Sequence, residues 1–335
     1  MRTAMKAVFM TGDEKNLAGV YKTVREKLTA ELDFISPITS AAQLEERKEE
    51  LRDVGVIFST WGMLSLDDET IRKYFVNLRA VFYAAGSVQY FARPFLSRGV
   101  RVFSAWAANA VPVVEFTIAE IILANKGYYQ RLRRNSDPEW SNRSSGGYFT
   151  GNFGNKVGLI GVGMIGSMVA ERLKDYRLKV LAYDPFLPAQ KAERLGVTMA
   201  PLKTIFSECT VISNHLANNP QTVGMLNGEL FDLMRPNAAF INTGRGAQVV
   251  EKDLIKALKD EPARVALLDV TYPEPPAPDS ELRRLDNVFL TPHIAGSLGE
   301  ETARMGEYMY EEFGRYMRGE PTKWEVTMKM LETMA

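Results

Sequence analysis

The chain has 335 residues, 46% hydrophobic and 24% charged, a composition typical of a globular protein large enough for two domains. Its 41 basic and 41 acidic side chains balance, so we expect neither nucleic acid nor an anionic membrane as a partner. A single cysteine excludes an internal disulfide and a thiolate metal cage, and we expect no metal.

The first residues become polar too early for a secretory signal. No uninterrupted apolar run reaches the roughly 20 residues that cross a bilayer. We therefore expect a cytoplasmic protein.

The first third of the sequence alternates short apolar runs with helical patterns. Strands are predicted at 6–10, 54–60, 78–86 and 101–105, and helices at 16–32, 44–51 and 68–75. This alternation predicts parallel strand pairing in an α/β sheet.

A long helix is predicted at 113–133, with apolar residues nearly all round it. Such a helix is buried, either in the core or against a partner subunit. The polar passage that follows, 134–156, has no strong periodicity and could wrap around the surface.

A second strand–helix series begins at Val157. Its buried-type strands are predicted at 157–161, 179–184, 210–216, 238–244, 265–270 and 288–293. A final helix after Gly299 carries an apolar stripe typical of core packing, formed by Met305, Tyr308, Met309, Phe313 and Met317.

The first strand of this series runs into a glycine turn. Gly161, Gly163 and Gly166 have G-x-G-x-x-G spacing between a strand and a helix, which favours a dinucleotide pyrophosphate at the helix N-terminus. Asp184 ends the next strand, where a carboxylate binds both ribose hydroxyls and repels a 2′-phosphate. We expect NAD as the cofactor; the alternative is a glycine turn used only for packing.

Three ionisable residues follow consecutive strands of the same series: Arg245, Glu274 and His293. Ligands of open parallel sheets bind at the carboxyl ends of strands. An arginine can hold a substrate carboxylate, a histidine can move the hydroxyl proton, and a glutamate can keep that histidine charged and aimed. Asp269, inside a strand, needs a partner if it is buried.

Each of these residues also has an ordinary explanation. Arg245 could be a surface residue in a turn, and Glu274 lies in a proline-rich loop where solvation is usual. Their joint occurrence beyond a nucleotide-binding turn favours the catalytic interpretation.

Four segments together resemble the D-isomer-specific 2-hydroxyacid dehydrogenases: "VGLIGVGMIG", "LMRPNAAFINTGRG", "LLDVTYPEPP" and "LDNVFLTPHIAGS". The resemblance implies that Arg245 binds substrate, that His293 is the acid–base and that Glu274 is its partner. It places Asp269 at the nicotinamide carboxamide. Further cofactor contacts that it implies are Met164, Ile165, His215, Leu216, Ala217, Thr222, Thr243, Gly244, Arg245 and His293.

The resemblance also implies two doubly wound parallel-sheet domains. A Rossmann NAD-binding domain at 106–298 is inserted in a flavodoxin-like substrate domain formed by 1–105 and 299–335. Ser87 and Val88 would offer backbone N–H groups to the substrate. The chain departs from the family at Gln89-Tyr90-Phe91 and at Ala217, which bears on the identity of the substrate; Trp61 and Tyr83 could be pocket walls or simply core.

These observations predict an NAD-dependent oxidoreductase that interconverts a 2-keto acid and a 2-hydroxy acid, a homodimer built through the cofactor domain. Because the tail after residue 321 is short, we expect no regulatory domain of the kind that some phosphoglycerate-oxidising relatives carry. Two alternatives remain: a dinucleotide-sensing interaction protein without significant turnover, and a Rossmann methyltransferase.

Overall fold

The computed structural model describes residues 5–133 and 149–332. The chain forms two compact units, one made of Met1–Ala110 with Ser297–Ala335 and the other of Val111–Gly296. Each unit is built around its own β-sheet. Each unit is therefore an α/β fold with its own hydrophobic core.

The strands are β1 Lys6–Met10, β2 Asp33–Phe34, β3 Val54–Ser59, β4 Ala80–Tyr83, β5 Arg101–Ser104, β6 Phe153–Ile160, β7 Arg177–Tyr183, β8 Thr198–Met199, β9 Val211–Asn214, β10 Ala239–Asn242, β11 Val265–Leu268, β12 Val288–Leu290 and β13 Glu325–Val326. The α-helices are α1 Glu14–Val20, α2 Arg25–Glu31, α3 Ala42–Glu46, α4 Lys48–Leu51, α5 Asp68–Tyr74, α6 Ala92–Ser97, α7 Trp106–Asn125, α8 Tyr128–Leu132, α9 Met164–Leu173, α10 Ala189–Leu195, α11 Leu202–Glu208, α12 Gly228–Phe231, α13 Glu251–Asp260 and α14 Thr302–Arg318.

The sheet of the first unit has the order β13-β5-β4-β3-β1-β2. Its strands pair in parallel except β13, which runs antiparallel to β5 at one edge. Without that edge strand, the order is that of the flavodoxin-like doubly wound sheet. In this sheet the structure adds two strands that the sequence pattern did not predict, β2 and β13, each only two residues long.

Aromatic side chains fill the core of the first unit. Phe82 stacks between Phe58 at 5.2 Å and Phe103 at 4.7 Å, measured between ring centroids on three neighbouring strands. Phe313 of α14 meets Phe58 and Phe82 edge-on, with centroids 5.5 Å away from each. Such aromatic pairs add to the free energy gained by burial, and they dock the last helix on the sheet.

The sheet of the second unit has the order β12-β11-β10-β9-β6-β7-β8, with every pair parallel. The strand order reverses between β6 and β9, which is the Rossmann arrangement with one strand added at the edge. The expectation of two doubly wound α/β domains is confirmed. The glycine turn follows β6, beside this reversal point.

Helix α7 differs from its prediction at both ends. It begins at Trp106, continues through Pro112 and ends at Asn125, whereas the sequence pattern predicted 113–133. Gly127 takes the left-handed conformation at φ 65° and separates α7 from α8, because glycine has no side chain to clash there. The predicted start at 113 lies after Pro112, which the helix includes, and the predicted end at 133 lies beyond Gly127.

Among the described residues, α7 is the one helix long and apolar enough to cross a membrane by length and composition, and half of its most apolar segment is buried inside the protein. Glu115 and Glu120 interrupt α7, so it is not the uninterrupted apolar run of about 20 residues that the sequence was expected to lack. A helix that packs into a protein core has the same composition, so this finding is weak evidence for a membrane span.

Two further predictions need correction. The helix predicted at 16–32 is two helices, α1 and α2, separated by a turn at 21–24. At this break, a side chain on Gly306 of α14 would lie 2.2 Å from the Val20 carbonyl oxygen, so the two segments approach each other very closely. Most of the polar passage predicted at 134–156 lies outside the described residues, and β6 begins within it at Phe153.

Candidate active site

The glycine turn joins β6 to α9 in the second unit. Gly161 has φ 86°, and a side chain there would lie 2.8 Å from the carbonyl oxygen of His215. A side chain on Gly166 would lie 2.1 Å from the Gly161 carbonyl oxygen, whereas one on Gly163 would meet no atom within 4 Å. Two glycines therefore close the turn, and the third leaves open space before the N-terminus of α9, where Met164 and Ile165 begin the helix.

Asp184 follows β7 and bonds to the backbone of the glycine turn. Its carboxylate accepts hydrogen bonds from the Val162 N–H at 2.7 Å and the Phe186 N–H at 2.9 Å. Each oxygen keeps a free acceptor position, since a carboxylate has about four. The residue thus stands beside the glycine turn with acceptor capacity suited to ribose hydroxyls.

His215 follows β9 and packs under the glycine turn. Its Nε2 pairs with the Ser213 hydroxyl at 3.0 Å, while Nδ1 is buried without a hydrogen-bond partner. Burial lowers the pKa of His215 to about 4, so the ring is neutral at physiological pH. Next to it, Leu216 and Ala217 continue the loop, and Thr222 closes that loop by donating to the Ala217 carbonyl at 2.7 Å.

An NAD molecule fits these features. The open space at Gly163 and the free N-terminus of α9 suit a pyrophosphate, and the Asp184 carboxylate suits a ribose. The orphaned Nδ1 of His215 is a further polar atom beside the turn.

Arg245 follows β10 after Thr243 and Gly244. Its Nη1 donates to the Gly244 carbonyl at 2.8 Å, and the Thr243 hydroxyl pairs with that of Thr117 at 3.2 Å. Burial lowers the pKa of the Arg245 guanidinium, and the negative charge of Glu274 opposes that shift. The group stays a cation, partly desolvated and within electrostatic reach of Glu274.

Glu274 and His293 form a direct pair. Glu274 Oε1 lies 2.5 Å from His293 Nδ1, and the two side chains are 39% and 46% exposed. This bond turns the Nε2 atom of the imidazole away from the carboxylate and leaves it available to another molecule. The side chains that follow β10, β11 and β12 thus come together at one edge of the sheet.

The loop that carries His293 is anchored by Asp269. Its carboxylate is 4% exposed and accepts from the Thr291 hydroxyl at 2.6 Å, from the Ile294 N–H at 2.8 Å and from the Ala295 N–H at 3.0 Å. The Asp269 carbonyl also accepts from the His293 N–H at 3.1 Å. His293 itself takes a left-handed backbone conformation, φ 55°, which these bonds hold in place. Asp269 therefore has the partners that a buried charge requires.

Ser87 and Val88 lie in the first unit, in the loop between β4 and α6. Within the described residues, neither backbone N–H donates a hydrogen bond; Ser87 is partly exposed, whereas Val88 is completely buried. The loop is held from behind, because the Ser104 hydroxyl donates to the carbonyls of Ala85 at 2.8 Å and Gly86 at 2.6 Å.

The segment Gln89-Tyr90 continues this loop. The Gln89 amide donates to the Leu331 carbonyl at 2.9 Å, and the Tyr90 hydroxyl lies 3.5 Å from that of Tyr83. Tyr83 is 2% exposed and Tyr90 is 50% exposed, so the buried Tyr83 hydroxyl has a partner on a side chain that reaches the surface. Trp61 is partly buried, and its carbonyl accepts from the Thr11 hydroxyl.

Sequence reasoning missed three buried amides beside the arginine: Asn214, Asn242 and Gln248. The available signal was a polar residue at the end of each apolar run, in "VISN" and "AFIN". Within residues 5–133 and 149–332, no group of three or more His, Cys, Asp or Glu side chains could hold a metal ion.

Comparison with known families decides the classification. Residues 118–295 match the family model described as D-isomer specific 2-hydroxyacid dehydrogenase, NAD binding domain. The chain belongs to this 2-hydroxyacid dehydrogenase family. The resemblance noted in the sequence is confirmed, and the matched segment contains the glycine turn, Asp184 and the Arg245, Glu274 and His293 side chains.

Among relatives of this chain, the D-3-phosphoglycerate dehydrogenase of Archaeoglobus fulgidus is 33% identical over 235 residues, 70% of this chain and 44% of the relative. That of Methanocaldococcus jannaschii is 32% identical over 232 residues, 69% of this chain and 44% of the relative. The match spans less than half the length of these relatives.

Solved structures share the fold. D-2-hydroxyisocaproate dehydrogenase superposes with a TM-score of 0.77 at 19% identity, covering 96% of this chain and 100% of the other. The NAD-complexed D-isomer specific 2-hydroxyacid dehydrogenase of Lactobacillus delbrueckii ssp. bulgaricus gives 0.76 at 20% identity, with the same coverage. At these identities the likeness concerns the fold alone.

Proposed function

We propose that the protein is an NAD-dependent 2-hydroxyacid dehydrogenase that reduces a 2-keto acid to the 2-hydroxy acid, and catalyses the reverse oxidation. The observation that carries this proposal is the 2.5 Å pair of Glu274 and His293 beside the Arg245 cation. NAD, when bound, supplies or accepts the hydride at C2 of the substrate.

The proposed roles follow from the chemistry of each side chain. Arg245 binds the substrate carboxylate and polarises the carbonyl, because its planar guanidinium offers paired donors. His293, protonated and held by Glu274, donates a proton from Nε2 to the oxygen that becomes the hydroxyl. In the oxidation, the same nitrogen takes the proton back.

The second unit would bind the cofactor and the first the substrate. Gly161, Gly163, Gly166, Met164 and Ile165 would surround the pyrophosphate, and Asp184 would bind the adenosine ribose. We propose Asp269 as both the anchor of the His293 loop and a contact of the carboxamide, with Leu216, Ala217, Thr222, Thr243 and Gly244 along the cofactor. Ser87 and Val88 would bind the substrate through their N–H groups.

We further propose a homodimer built through the cofactor unit, acting in the cytoplasm. An apolar groove on that unit supports the dimer, and its lining includes Phe116, Leu123, Tyr129 and Phe289. A surface of this kind is costly to leave in water. Light scattering should give twice the chain mass; a single species at monomer mass would contradict the dimer.

The acid–base role is tested by His293→Ala, assayed with NADH and a panel of 2-keto acids. Turnover should fall about 100-fold or more, the usual contribution of a positioned proton donor, while NADH binding stays within about threefold. Ser280→Ala serves as the control and should keep wild-type turnover; within the described residues its hydroxyl bonds only to Glu251 and the Leu282 N–H. Near-normal turnover of His293→Ala would remove the assignment, and NADH binding without any turnover by the wild type would indicate a sensor.

The ribose role is tested by Asp184→Ala. Loss of the carboxylate should weaken NADH binding more than NADPH binding, because a 2′-phosphate is no longer repelled. Fluorescence titration with both cofactors measures this preference. An unchanged ratio of the two dissociation constants would exclude the proposed contact.

A further inference from the structure

Three buried amide side chains cluster at the carboxyl ends of two central strands. Asn214 is the last residue of β9, Asn242 is the last residue of β10, and Gln248 ends the short 3₁₀ turn Gly246–Gln248. Their exposed fractions are 0%, 1% and 0%. Burying an amide is unfavourable unless its donors and acceptors are all satisfied, so their hydrogen bonds decide what this cluster does.

Asn214 lies at the centre of the cluster. Its Nδ2 donates to Asn242 Oδ1 at 3.0 Å and to Gln248 Oε1 at 2.6 Å. Both protons of this amide are therefore used within the cluster, and the three side chains form one connected network.

The network holds the backbone of Arg245 on both sides. The Arg245 N–H donates to Gln248 Oε1 at 3.3 Å, and the Arg245 carbonyl accepts from Asn242 Nδ2 at 3.2 Å. The position from which the guanidinium projects is thus set by two side chains that are themselves fixed by Asn214.

The same amides hold the loop beside the glycine turn. The Leu216 N–H donates to Asn214 Oδ1 at 3.3 Å, and the Leu216 carbonyl accepts from Gln248 Nε2 at 2.7 Å. The same network therefore bonds to the backbone N–H and to the carbonyl of both Arg245 and Leu216, although these residues belong to different loops.

Gly244 shows how closely the arginine turn is fitted to this network. A side chain on Gly244 would lie 3.0 Å from both Asn214 Nδ2 and Gln248 Oε1. Its N–H also donates to Asn242 Oδ1 at 3.1 Å. The turn that precedes Arg245 has little space in which to shift while the amides keep their bonds.

We propose that Asn214, Asn242 and Gln248 are positioning residues for the reaction. They set the Arg245 guanidinium for the substrate carboxylate and link it to the cofactor-side loop at Leu216. The proposal rests on the proposed dehydrogenase function. A displacement of about 1 Å of a substrate-positioning group can cost roughly 100-fold in rate, so apolar substitutes that fill the space but cannot form the bonds should impair substrate use.

The test uses Asn214→Leu and Gln248→Met, which keep side-chain volume and remove the amide. The matched control is Asn287→Leu, another buried amide of the same unit, which in the described part of the chain donates only to the Leu258 and Arg264 carbonyls. Steady-state kinetics with 2-keto acids, NADH fluorescence titration, calorimetric titration with oxamate in the presence of NADH, and thermal unfolding are measured for all variants.

The two network variants should raise KM for the keto acid and Kd for oxamate by about tenfold or more, with a smaller rise in Kd for NADH. The control should lose thermal stability with KM unchanged. The double variant Asn214→Leu/Gln248→Met should lose little more than the worse single variant, because both remove the same network.

Two results would overturn the proposal. Network variants that lose thermal stability as the control does, with wild-type KM and oxamate affinity, would show a purely structural role while leaving the dehydrogenase function intact. A wild-type protein that neither reduces any keto acid of the panel nor binds oxamate would refute the function itself, and the positioning role with it.

Discussion

The environment of His215 makes this histidine a source of acid sensitivity. Nδ1 is buried without a hydrogen-bond partner, and Nε2 is engaged with the Ser213 hydroxyl. Burial lowers the pKa from its ordinary 6.5 to about 4, because the imidazolium would have to leave water. His215 is therefore protonated less readily in the folded protein than in the unfolded chain.

The sign and size of the effect follow from these two pKa values. Between pH 6.5 and about 4 the unfolded chain binds more protons at this site, so the free energy of unfolding decreases as the pH falls. Above pH 6.5 the contribution of the neutral ring is fully present. The difference between the two pKa values corresponds to about 3.5 kcal/mol of unfolding free energy when each pH unit contributes roughly 1.4 kcal/mol.

His215→Gln removes the titration and keeps an amide that can reach Ser213. We expect the free energy of unfolding of the variant, measured by urea denaturation, to gain about 2 kcal/mol relative to the wild type between pH 7 and pH 4.5. Ser213→Ala is the control, since it retains the buried ring and should keep the acid slope. A difference between His215→Gln and wild type that is the same at every pH would refute this reasoning.

Three other changes have defined outcomes. In Gly246→Ala the new methyl group would lie 2.0 Å from the Thr271 carbonyl carbon, so the loop that leads to Glu274 must shift. We expect kcat/KM to fall about 100-fold, and unchanged kinetics would contradict this expectation. Burial and the Asp269 charge raise the pKa of Glu120 to about 8, so wild-type stability declines as the pH rises from about 4.5 to 8. The Tm of Glu120→Gln should therefore exceed that of the wild type by an amount that grows over this pH range. A Tm difference that is the same at every pH would contradict this prediction. The buried Arg264 guanidinium donates to backbone carbonyls, one of them at 3.1 Å, and Arg264→Met should cost about 2 kcal/mol in urea unfolding, with no loss indicating that the bonds are not needed.

Local sequence was sufficient for the nucleotide-binding turn and for most strands of the second unit. The spacing of Gly161, Gly163 and Gly166 concerns neighbouring backbone atoms, so the conformation and the close approach to His215 follow from a few residues. Buried parallel strands are continuous apolar runs, and these are visible without knowing their partners.

Short elements were harder to predict from the sequence. Strand β13 has only two residues and exists because it pairs with β5, more than two hundred residues earlier in the chain. The limits of α7 were wrong because the prediction followed the apolar pattern alone; the helix includes Pro112 near its start and ends before Gly127.

The sequence by itself determined which chemical groups the site contains and that each follows a strand. It could not determine their contacts: Glu274 meets His293 at 2.5 Å because β11 and β12 are adjacent and in register in the folded sheet. The bond between Asn214 and Gln248 likewise spans two loops that only the pairing of β9 with β10 brings together. Residue type and local spacing are properties of the chain, whereas the hydrogen bonds that aim Arg245 and His293 depend on long-range strand pairing, and tertiary structure alone decides them.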